Sequence, residues 1–232
     1  MTAVISGATK GIGRAIAEML GSKGFDLIIC ARNASELESC KLSIEQDHQI
    51  KVQTFIADLS LRKDTLAFAD FIKQHCSTVE ILVNNAGSYV PGGVLSEEDG
   101  ALEKMINTNL YSAYHLTRAL HPHMDKKGKA YIFNMCSIAS LHAYPNGGAY
   151  SISKFALYGF SKNLREELKN ENIRVCSILP GATMSDSWAG SGVSEDRIME
   201  AKDIAKALWT AYDMSPKAVV EDIILRPQLG DL

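Results

Sequence analysis

Short apolar runs alternate along the chain with longer stretches in which hydrophobic residues recur at helical spacing. Seven of the short runs have the pattern of parallel strands, which helices cover on both faces and which therefore contain few polar residues. The predicted strands are Ala3 to Ser6, Asp26 to Ala31, Lys51 to Ala57, Ile81 to Asn84, Ala130 to Asn134, Arg174 to Leu179 and Asp222 to Leu225.

The stretches between these strands have the period of amphipathic helices. After the first strand, helical spacing is kept by Ile12, Ile16, Met19 and Leu20, and glycines at 21 and 24 mark the stop. Right-handed crossovers then give a doubly wound parallel sheet. We therefore predict an α/β fold of the Rossmann type, with three α/β/α layers and a single domain over residues 1–232. A segment rich in glycine, serine and alanine, at about residues 181–200, is the predicted lid.

Composition excludes several classes of partner. The chain has 232 residues, 46% of them hydrophobic, and a formal net charge of −3 at pH 7, so no global positive field attracts nucleic acid or an anionic membrane. No apolar run approaches the roughly 20 residues that a membrane-spanning helix needs. The five cysteines are widely spaced without a Cys-x-x-Cys pair, and no export signal is visible. We expect a cytoplasmic protein without a metal site.

A glycine-rich segment joins the first strand to the first helix. It reads Ser6-Gly7-Ala8-Thr9-Lys10-Gly11-Ile12-Gly13. Glycines permit a tight turn and let backbone N–H groups approach a pyrophosphate at the positive end of a helix. The spacing is Gly-x-x-x-Gly-x-Gly, which differs from the common Gly-x-Gly-x-x-Gly. At a first strand–helix junction it still predicts a dinucleotide site.

The end of the second strand discriminates between the two nicotinamide cofactors. An acid there accepts the ribose hydroxyl of NAD, whereas a basic residue accommodates the additional phosphate of NADP. This chain has Arg32 at that point, and Lys10 in the glycine loop is placed to reach the same phosphate. Two cations predict NADP in preference to NAD. Asp58 and Leu59, after the third strand, are expected at the adenine ring.

Tyr150 and Lys154 form a candidate proton-transfer pair. Residues four apart on a helix share one face, so the phenol and the ammonium can meet. A nearby cation lowers the pKa of a phenol from about 10 by roughly 1–3 units. The pair therefore suits an acid–base catalyst, and Ser137 lies thirteen residues before the tyrosine.

Together these residues resemble the short-chain dehydrogenase/reductase family in its compact form. The motifs occur in the family's order and cover nearly the whole chain. They are the glycine loop, Asn84-Asn85-Ala86-Gly87, Asn109 in Asn107-Thr108-Asn109-Leu110, Ser137, Tyr150-x-x-x-Lys154 and Pro180-Gly181. The N-terminal half and the segment from Val220 to Asp231 look most like bacterial sepiapterin-reductase-like members.

The resemblance implies a role for each matched residue. Tyr150 donates a proton to the substrate oxygen, Ser137 donates a hydrogen bond to it, and Lys154 lowers the tyrosine pKa and holds the ribose. Asn109 is expected to hold a water that connects Lys154 to solvent. The cofactor cleft is expected to be lined by Gly7, Thr9, Lys10, Gly11, Ile12, Gly13, Asn85, Ala86, Gly87, Tyr150, Lys154, Pro180, Gly181 and Ser185.

The expected reaction is NADPH-dependent reduction of a small-molecule ketone to an alcohol, with sepiapterin or diketones as candidate substrates. Substrate contacts are predicted for His142, Tyr144 and Trp188. A 3-oxoacyl thioester reductase would use the same residues, and a non-catalytic NADP-binding regulator is an alternative from another class. The resemblance also implies a homodimer or homotetramer, built partly from the helices after Asn107 and after Tyr150. The helix after Tyr150 has more apolar surface than one cleft side and one sheet face need.

Overall fold

A computed structural model describes residues 1–185 and 192–231. Its described residues form one seven-stranded sheet in which all neighbouring strands are parallel. The strands are β1 Thr2–Ser6, β2 Asp26–Ala31, β3 Val52–Ile56, β4 Ile81–Asn84, β5 Tyr131–Met135, β6 Arg174–Pro180 and β7 Asp222–Leu225. The predicted α/β class and parallel sheet are confirmed.

Strand ends differ from the predictions by one residue where pairing decides them. The fifth strand runs one residue further than predicted because Met135 pairs with Ile178 of β6. The third is shorter, and its last pair joins Ala31 to Ile56. Local hydrophobicity cannot show where a neighbouring strand stops offering hydrogen bonds.

The helices occupy the crossovers between strands. They are α1 Gly11–Ser22, α2 Ala34–Asp47, α3 Arg62–His75, α4 Ala101–Ile106, α5 Ser112–Leu120, α6 Gly148–Leu168 and α7 Ala201–Asp213. A π-helical segment, Asn107–Tyr111, joins α4 directly to α5. Among the described residues, no helix has the length and apolar character needed to cross a membrane.

The order of strands across the sheet is β3-β2-β1-β4-β5-β6-β7. The chain builds outward from β1 to β3 and then returns to place β4 beside β1. In such sheets the crevice at the carboxyl ends of the two central strands is where ligands bind. The topology therefore brings the loops after β1 and β4 together.

Alternate residues of each strand pack into cores on opposite faces of the sheet. In β1, Ala3 and Ile5 face one core, where they join residues of α1 and α7. Val4 between them faces the other core, with residues of α3, α5 and α6. All residues of β4, β5 and β6 are buried. Covering on both faces explains why these strands are continuous apolar runs in the sequence.

Candidate active site

Ser6 and Asn85 join the ends of β1 and β4. The Ser6 hydroxyl oxygen accepts hydrogen bonds of 2.9 Å from the backbone N–H groups of Asn85 and Ala86. The Asn85 side-chain amide donates in return to the carbonyl oxygens of Ser6 and Gly7, at 3.0 and 2.8 Å. These four bonds hold the glycine loop against the Asn-Ala-Gly segment. Both segments are expected from the sequence to line the same cofactor cleft.

The glycine loop needs glycine at three positions for two reasons. Gly7 and Gly11 have φ values of +67° and +52°, which side chains rarely adopt. At Gly13 the reason is space, because an added Cβ atom would lie 2.1 Å from the Gly7 carbonyl oxygen. Because α1 packs closely on the loop, its N-terminus lies next to the loop. A helix N-terminus beside a glycine-rich loop is an arrangement that suits phosphate.

An acidic side chain that the sequence analysis did not place here contacts this loop. Glu36, in the first turn of α2, lies with Oε1 3.0 Å from the Lys10 ammonium. Its Oε2 atom accepts a 3.3 Å hydrogen bond from the Thr9 hydroxyl. Only the cations Arg32 and Lys10 are expected at this corner from the sequence, and the structure adds the Glu36 carboxylate. Asn33 caps the N-terminus of α2, and the path of the chain from β2 into this helix places Glu36 against the glycine loop.

Arg32 and Asp58 occupy the neighbouring corner, at the ends of β2 and β3. Arg32 is exposed. Hydrogen bonds from Ser60 hold the pKa of the Asp58 carboxyl below its usual value, and the charge of Arg32 adds to the effect. Leu59 beside them is buried. The side chains predicted to meet the adenosine end of a dinucleotide therefore do lie near one another.

Tyr150, Ser137 and Lys154 converge at the carboxyl end of β5. Ser137 is 8% exposed and begins a short 3₁₀ turn, where its hydroxyl oxygen accepts a 3.2 Å bond from the Ala139 N–H. Its side chain also hydrogen-bonds to Tyr150. Tyr150 lies in the first turn of α6, with its ring partly exposed. The predicted juxtaposition of serine and tyrosine is present.

The predicted direction of the Tyr150 pKa shift is wrong. Burial raises the pKa of this phenol above its usual value, and the Ser137 hydrogen bond opposes the shift only in part. Lys154 Nζ lies 5.8 Å from the centre of the tyrosine ring. Spacing of four on a helix shows that two side chains share a face, but not how far burial outweighs the nearby charge.

Lys154 is itself strongly perturbed. The side chain is 5% exposed, and Nζ donates a 2.7 Å hydrogen bond to the Met135 carbonyl oxygen. Burial lowers the pKa of this lysine to about 8. A Cβ atom added to Gly87 would lie 3.6 Å from Nζ and 3.2 Å from Oδ1 of Asn109. Because residue 87 is glycine, no side chain at that position lies between Lys154 and Asn109.

Asn109 lies in the π-helical segment and is 1% exposed. Its amide nitrogen donates to the Ser153 hydroxyl at 2.8 Å and to the Ser88 carbonyl at 3.0 Å, while Oδ1 accepts the Ser88 N–H at 2.8 Å. The widened π turn, a feature frequent at functional sites, directs this amide at α6. Asn109 thus joins three segments of the site, and its role in holding a water stays a prediction.

Aromatic side chains form the open wall of the site. The Tyr89 ring lies edge-on to Tyr150, with centres 4.9 Å apart and planes at 82°. Tyr144 also belongs to this group, because burial and its neighbours Tyr89 and Tyr150 raise its pKa. His142 is exposed two residues earlier. Trp188, the third predicted substrate contact, lies outside the described residues.

The loop after β6 approaches the glycine loop. Pro180 ends the strand, and the Gly181 N–H donates a 2.7 Å bond to the Leu225 carbonyl of β7. The following segment pairs with the chain at Met199, and Ser185 then lies against Gly11, where an added Cβ would be 3.3 Å from the serine Cβ. Ser185 is therefore beside the phosphate cradle, whereas its predicted contact with nicotinamide is untested.

Sequence reasoning missed three residues of this region: Tyr89, Glu36 and Ser153. Tyr89 could have been found, because polar aromatics in a loop after a central strand face the crevice. Glu36 and Ser153 carry no such signal, since each becomes relevant only through a contact with a distant segment. Within the described parts of the chain, no group of three or more histidine, cysteine or acidic residues is arranged to hold a metal.

Comparisons with known proteins find similar sequences and folds over most of the chain. The family model for short chain dehydrogenases matches residues 1–195. A sepiapterin reductase from Chlorobaculum tepidum is 33% identical over 242 residues, covering 99% of this chain and 97% of that protein.

Two solved structures share the fold over nearly the whole chain. An alcohol dehydrogenase from Thermococcus sibiricus, complexed with 5-hydroxy-NADP, is 25% identical with a TM-score of 0.90, covering 98% of this chain and 96% of that one. A metagenomic short-chain oxidoreductase in complex with NADP is 28% identical with a TM-score of 0.83, covering 98% and 97%.

Proposed function

The chain belongs to the short-chain dehydrogenase family, and from this membership we propose that it is an NADPH-dependent reductase of small-molecule ketones. The observation that carries the proposal is the convergence of Ser137, Tyr150 and Lys154 beside Gly87, at the carboxyl edge of the sheet. Family membership supplies the oxidoreductase class. The direction of reaction and the roles of individual residues are our proposal.

The crevice suits a dinucleotide. The glycine loop forms a cradle that side chains would fill. Its three glycines are Gly7 and Gly11, which are left-handed, and Gly13, which is tightly packed. We assign the pyrophosphate to this cradle, the adenosine ribose and its phosphate to Thr9, Lys10 and Arg32, and the adenine to Asp58 and Leu59. The remaining assigned contacts lie along the carboxyl edge: Ile12, Asn85, Ala86, Gly87, Pro180, Gly181 and Ser185. Two similar structures, one with bound 5-hydroxy-NADP and one with bound NADP, support this choice of cofactor.

When bound, NADPH supplies the hydride. The protein then has to place a ketone and neutralise the negative charge that grows on its oxygen as the carbon–oxygen double bond becomes single. Tyr150 donates its phenolic proton to that oxygen and Ser137 donates a hydrogen bond. A raised pKa keeps Tyr150 protonated at neutral pH, which suits an acid in the reductive direction.

Lys154 and Asn109 support this proton donor. Lys154 is held by Met135 with an ammonium whose pKa is about 8, so it can donate hydrogen bonds to ribose hydroxyls and return a proton to Tyr150 near neutral pH. Asn109 fixes α6 through Ser153, whose hydroxyl donates to the Tyr150 carbonyl at 2.7 Å. We assign Asn109 a positioning role and a water-mediated link between Lys154 and solvent.

Tyr144, His142 and the newly found Tyr89 are the proposed substrate wall. The segment at about 181–200 is the proposed lid, and its residues 186–191, Trp188 among them, lie outside the described residues. An aromatic wall favours flat or conjugated ketones, which fits diketones and pterin-type substrates such as sepiapterin.

We also propose that the protein is a homodimer or homotetramer. Ile152 and Phe155 of α6 are 41% and 45% exposed and supply apolar surface for such a contact.

NADPH consumption tests the proposed function directly. The purified protein is assayed at 340 nm with a diketone, a quinone, a pterin and an acetoacetyl thioester, each with NADPH and with NADH. We expect turnover of at least one free ketone. Turnover of the thioester alone would identify an acyl-thioester reductase. Tight NADPH binding without turnover of any of the four would contradict the reductase proposal and favour a regulator.

A further inference from the structure

Glu36 occupies the corner to which we assign the 2′-phosphate of the adenosine ribose. Both of its carboxylate oxygens are engaged by the glycine loop, one by the Lys10 ammonium at 3.0 Å and the other by the Thr9 hydroxyl at 3.3 Å. The Glu36 side chain is 33% exposed and that of Lys10 is 51% exposed. The Lys10 ammonium and the Thr9 hydroxyl are donors that suit an anion. Here the anion they bind is the carboxylate of Glu36, a side chain of the protein itself.

The start of α2 offers few other donors at this corner. The Asn33 side-chain oxygen accepts the N–H groups of Ser35 and Glu36, at 3.0 and 3.2 Å. These two groups are among the four that a helix N-terminus leaves without intrahelical partners. An incoming phosphate at this corner therefore depends on side chains, and Glu36 already holds two of them.

Among the described residues, charged side chains of both signs lie near the corner. Lys10 and Arg32 are cations, while Glu36 and Asp58 are carboxylates. Asp58 accepts hydrogen bonds of 3.0 and 2.7 Å from the Ser60 N–H and hydroxyl, so its carboxylate belongs to its own loop. Glu36, in contrast, contacts two of the residues assigned to the phosphate, Thr9 and Lys10.

We infer that Glu36 is a specificity-determining residue that competes with the 2′-phosphate of NADP for Lys10 and Thr9. This inference rests on the proposed function, because it presupposes that a dinucleotide occupies the crevice. Binding of NADP requires the phosphate to displace the carboxylate from Lys10 and to tolerate its negative charge. NAD has no phosphate there and meets no such competition. Glu36 therefore reduces the preference for NADP that Arg32 and Lys10 would otherwise create.

Removing the charge of Glu36 tests the inference. In E36Q the side chain keeps its size, the ion pair between Lys10 and residue 36 is lost, and the repulsion between carboxylate and phosphate is gone. We expect E36Q to bind NADPH on the order of tenfold more tightly than the wild type, since the repulsion acts at a partly solvated site where charge interactions are moderate. The dissociation constant of NADH should change by less than about twofold.

The matched control is E38Q, which changes the net charge equally on the same helix at an exposed position. Dissociation constants are measured by fluorescence titration for NADPH and NADH, and by calorimetry for adenosine 2′,5′-bisphosphate and 5′-AMP. The last two probes report the adenosine end alone. E36Q should tighten the bisphosphate and not AMP, and E38Q should alter neither.

Two outcomes would overturn the inference while leaving the proposed function intact. One is an unchanged ratio of NADPH to NADH affinity in E36Q, with a wild type that binds NADPH. The other is an equal gain for both cofactors, which would show a general charge effect. A wild type that binds neither dinucleotide overturns the proposed function itself, and the inference with it. Thermal unfolding of both variants verifies that they are folded.

Discussion

The ammonium of Lys154 donates a 2.7 Å hydrogen bond to the carbonyl oxygen of Met135, the last residue of β5. Ser137 follows Met135 by two residues, and Tyr150 precedes Lys154 by one turn of α6. This one bond therefore joins the two segments that carry the proposed proton donor and its hydrogen-bonding partner. It also accompanies the burial that lowers the pKa of Lys154 to about 8.

Replacing Lys154 with methionine should change the pH dependence of stability. With a pKa of about 8 when folded and 10.5 as its ordinary value, the lysine is protonated in the unfolded chain but not in the folded protein between these pH values. The contribution of Lys154 to the free energy of unfolding therefore rises with pH between these two pKa values. Between pH 7.5 and 9.5 the wild type should gain roughly 2 kcal/mol relative to Lys154→Met.

Urea unfolding of both proteins at the two pH values measures this difference. Lys127→Met, at an exposed loop position, is the control and should follow the wild type. Since the buried tyrosines are the same in all three proteins, their titration cancels. Parallel pH profiles for the wild type and Lys154→Met would show that the lysine has an ordinary pKa.

Tyr150→Phe should abolish most of the activity without weakening cofactor binding. The substitution removes one hydroxyl, and loss of acid catalysis costs about 10²–10⁴ in kcat. The dissociation constant of NADPH should stay within about twofold. Tyr158→Phe is the control on the same helix, because that hydroxyl bonds to Asp222 at 3.2 Å, outside the site. Wild-type turnover in Tyr150→Phe, measured with any active ketone, would contradict the proposed proton donor.

Gly13→Ala should disrupt the phosphate cradle. The added methyl would lie 2.1 Å from the Gly7 carbonyl oxygen and 2.4 Å from the Asn85 amide nitrogen, so the glycine loop has to move. We expect a loss of about 1–3 kcal/mol in the free energy of unfolding, as for overpacked interiors. NADPH affinity should fall by more than about tenfold, a loss of at least 1.4 kcal/mol in binding.

Gly159→Ala is the opposite case and serves as the control. This glycine lies inside α6 and, within one copy of the chain, an added Cβ would have nothing within 4 Å, so alanine should stabilise the helix by about 0.5–1 kcal/mol. Thermal unfolding and NADPH titration measure both variants. Equal stability and equal NADPH affinity of the two alanine variants would show that the close contact at Gly13 does not constrain the loop.

Tyr89→Leu should affect the ketone and not the cofactor. Its ring lies 4.9 Å from that of Tyr150, on the proposed substrate wall. Loss of an aromatic contact of about 0.5–1.5 kcal/mol raises KM by about two- to tenfold, with NADPH affinity unchanged. Tyr111→Leu, at a 46% exposed position after Asn109, is the control. A fall in NADPH affinity with constant KM for the ketone would remove Tyr89 from the wall.

Much of the fold followed from local pattern. A parallel sheet buried on both faces requires continuous apolar strands, so β4 and β6 could be located with an error of at most one residue at each end. The glycine loop and the motif with Tyr150 and Lys154 could be placed for a related reason. Their function depends on spacing within one turn or one helix, and the sequence preserves that spacing.

Tertiary structure decided the features that depend on contacts between distant segments. Glu36 reaches Lys10 only because α2 returns across the loop after β1, and Asn109 reaches Ser153 across 44 positions of sequence. The pKa of Tyr150 belongs to the same class, since burial by the surrounding protein outweighs the charge that the sequence places one helical turn away. The sequence by itself determined which chemical groups are present and which neighbours along the chain share a face. Packing determined how much solvent and which opposing charges each group retains, because these depend on every segment that folds around it.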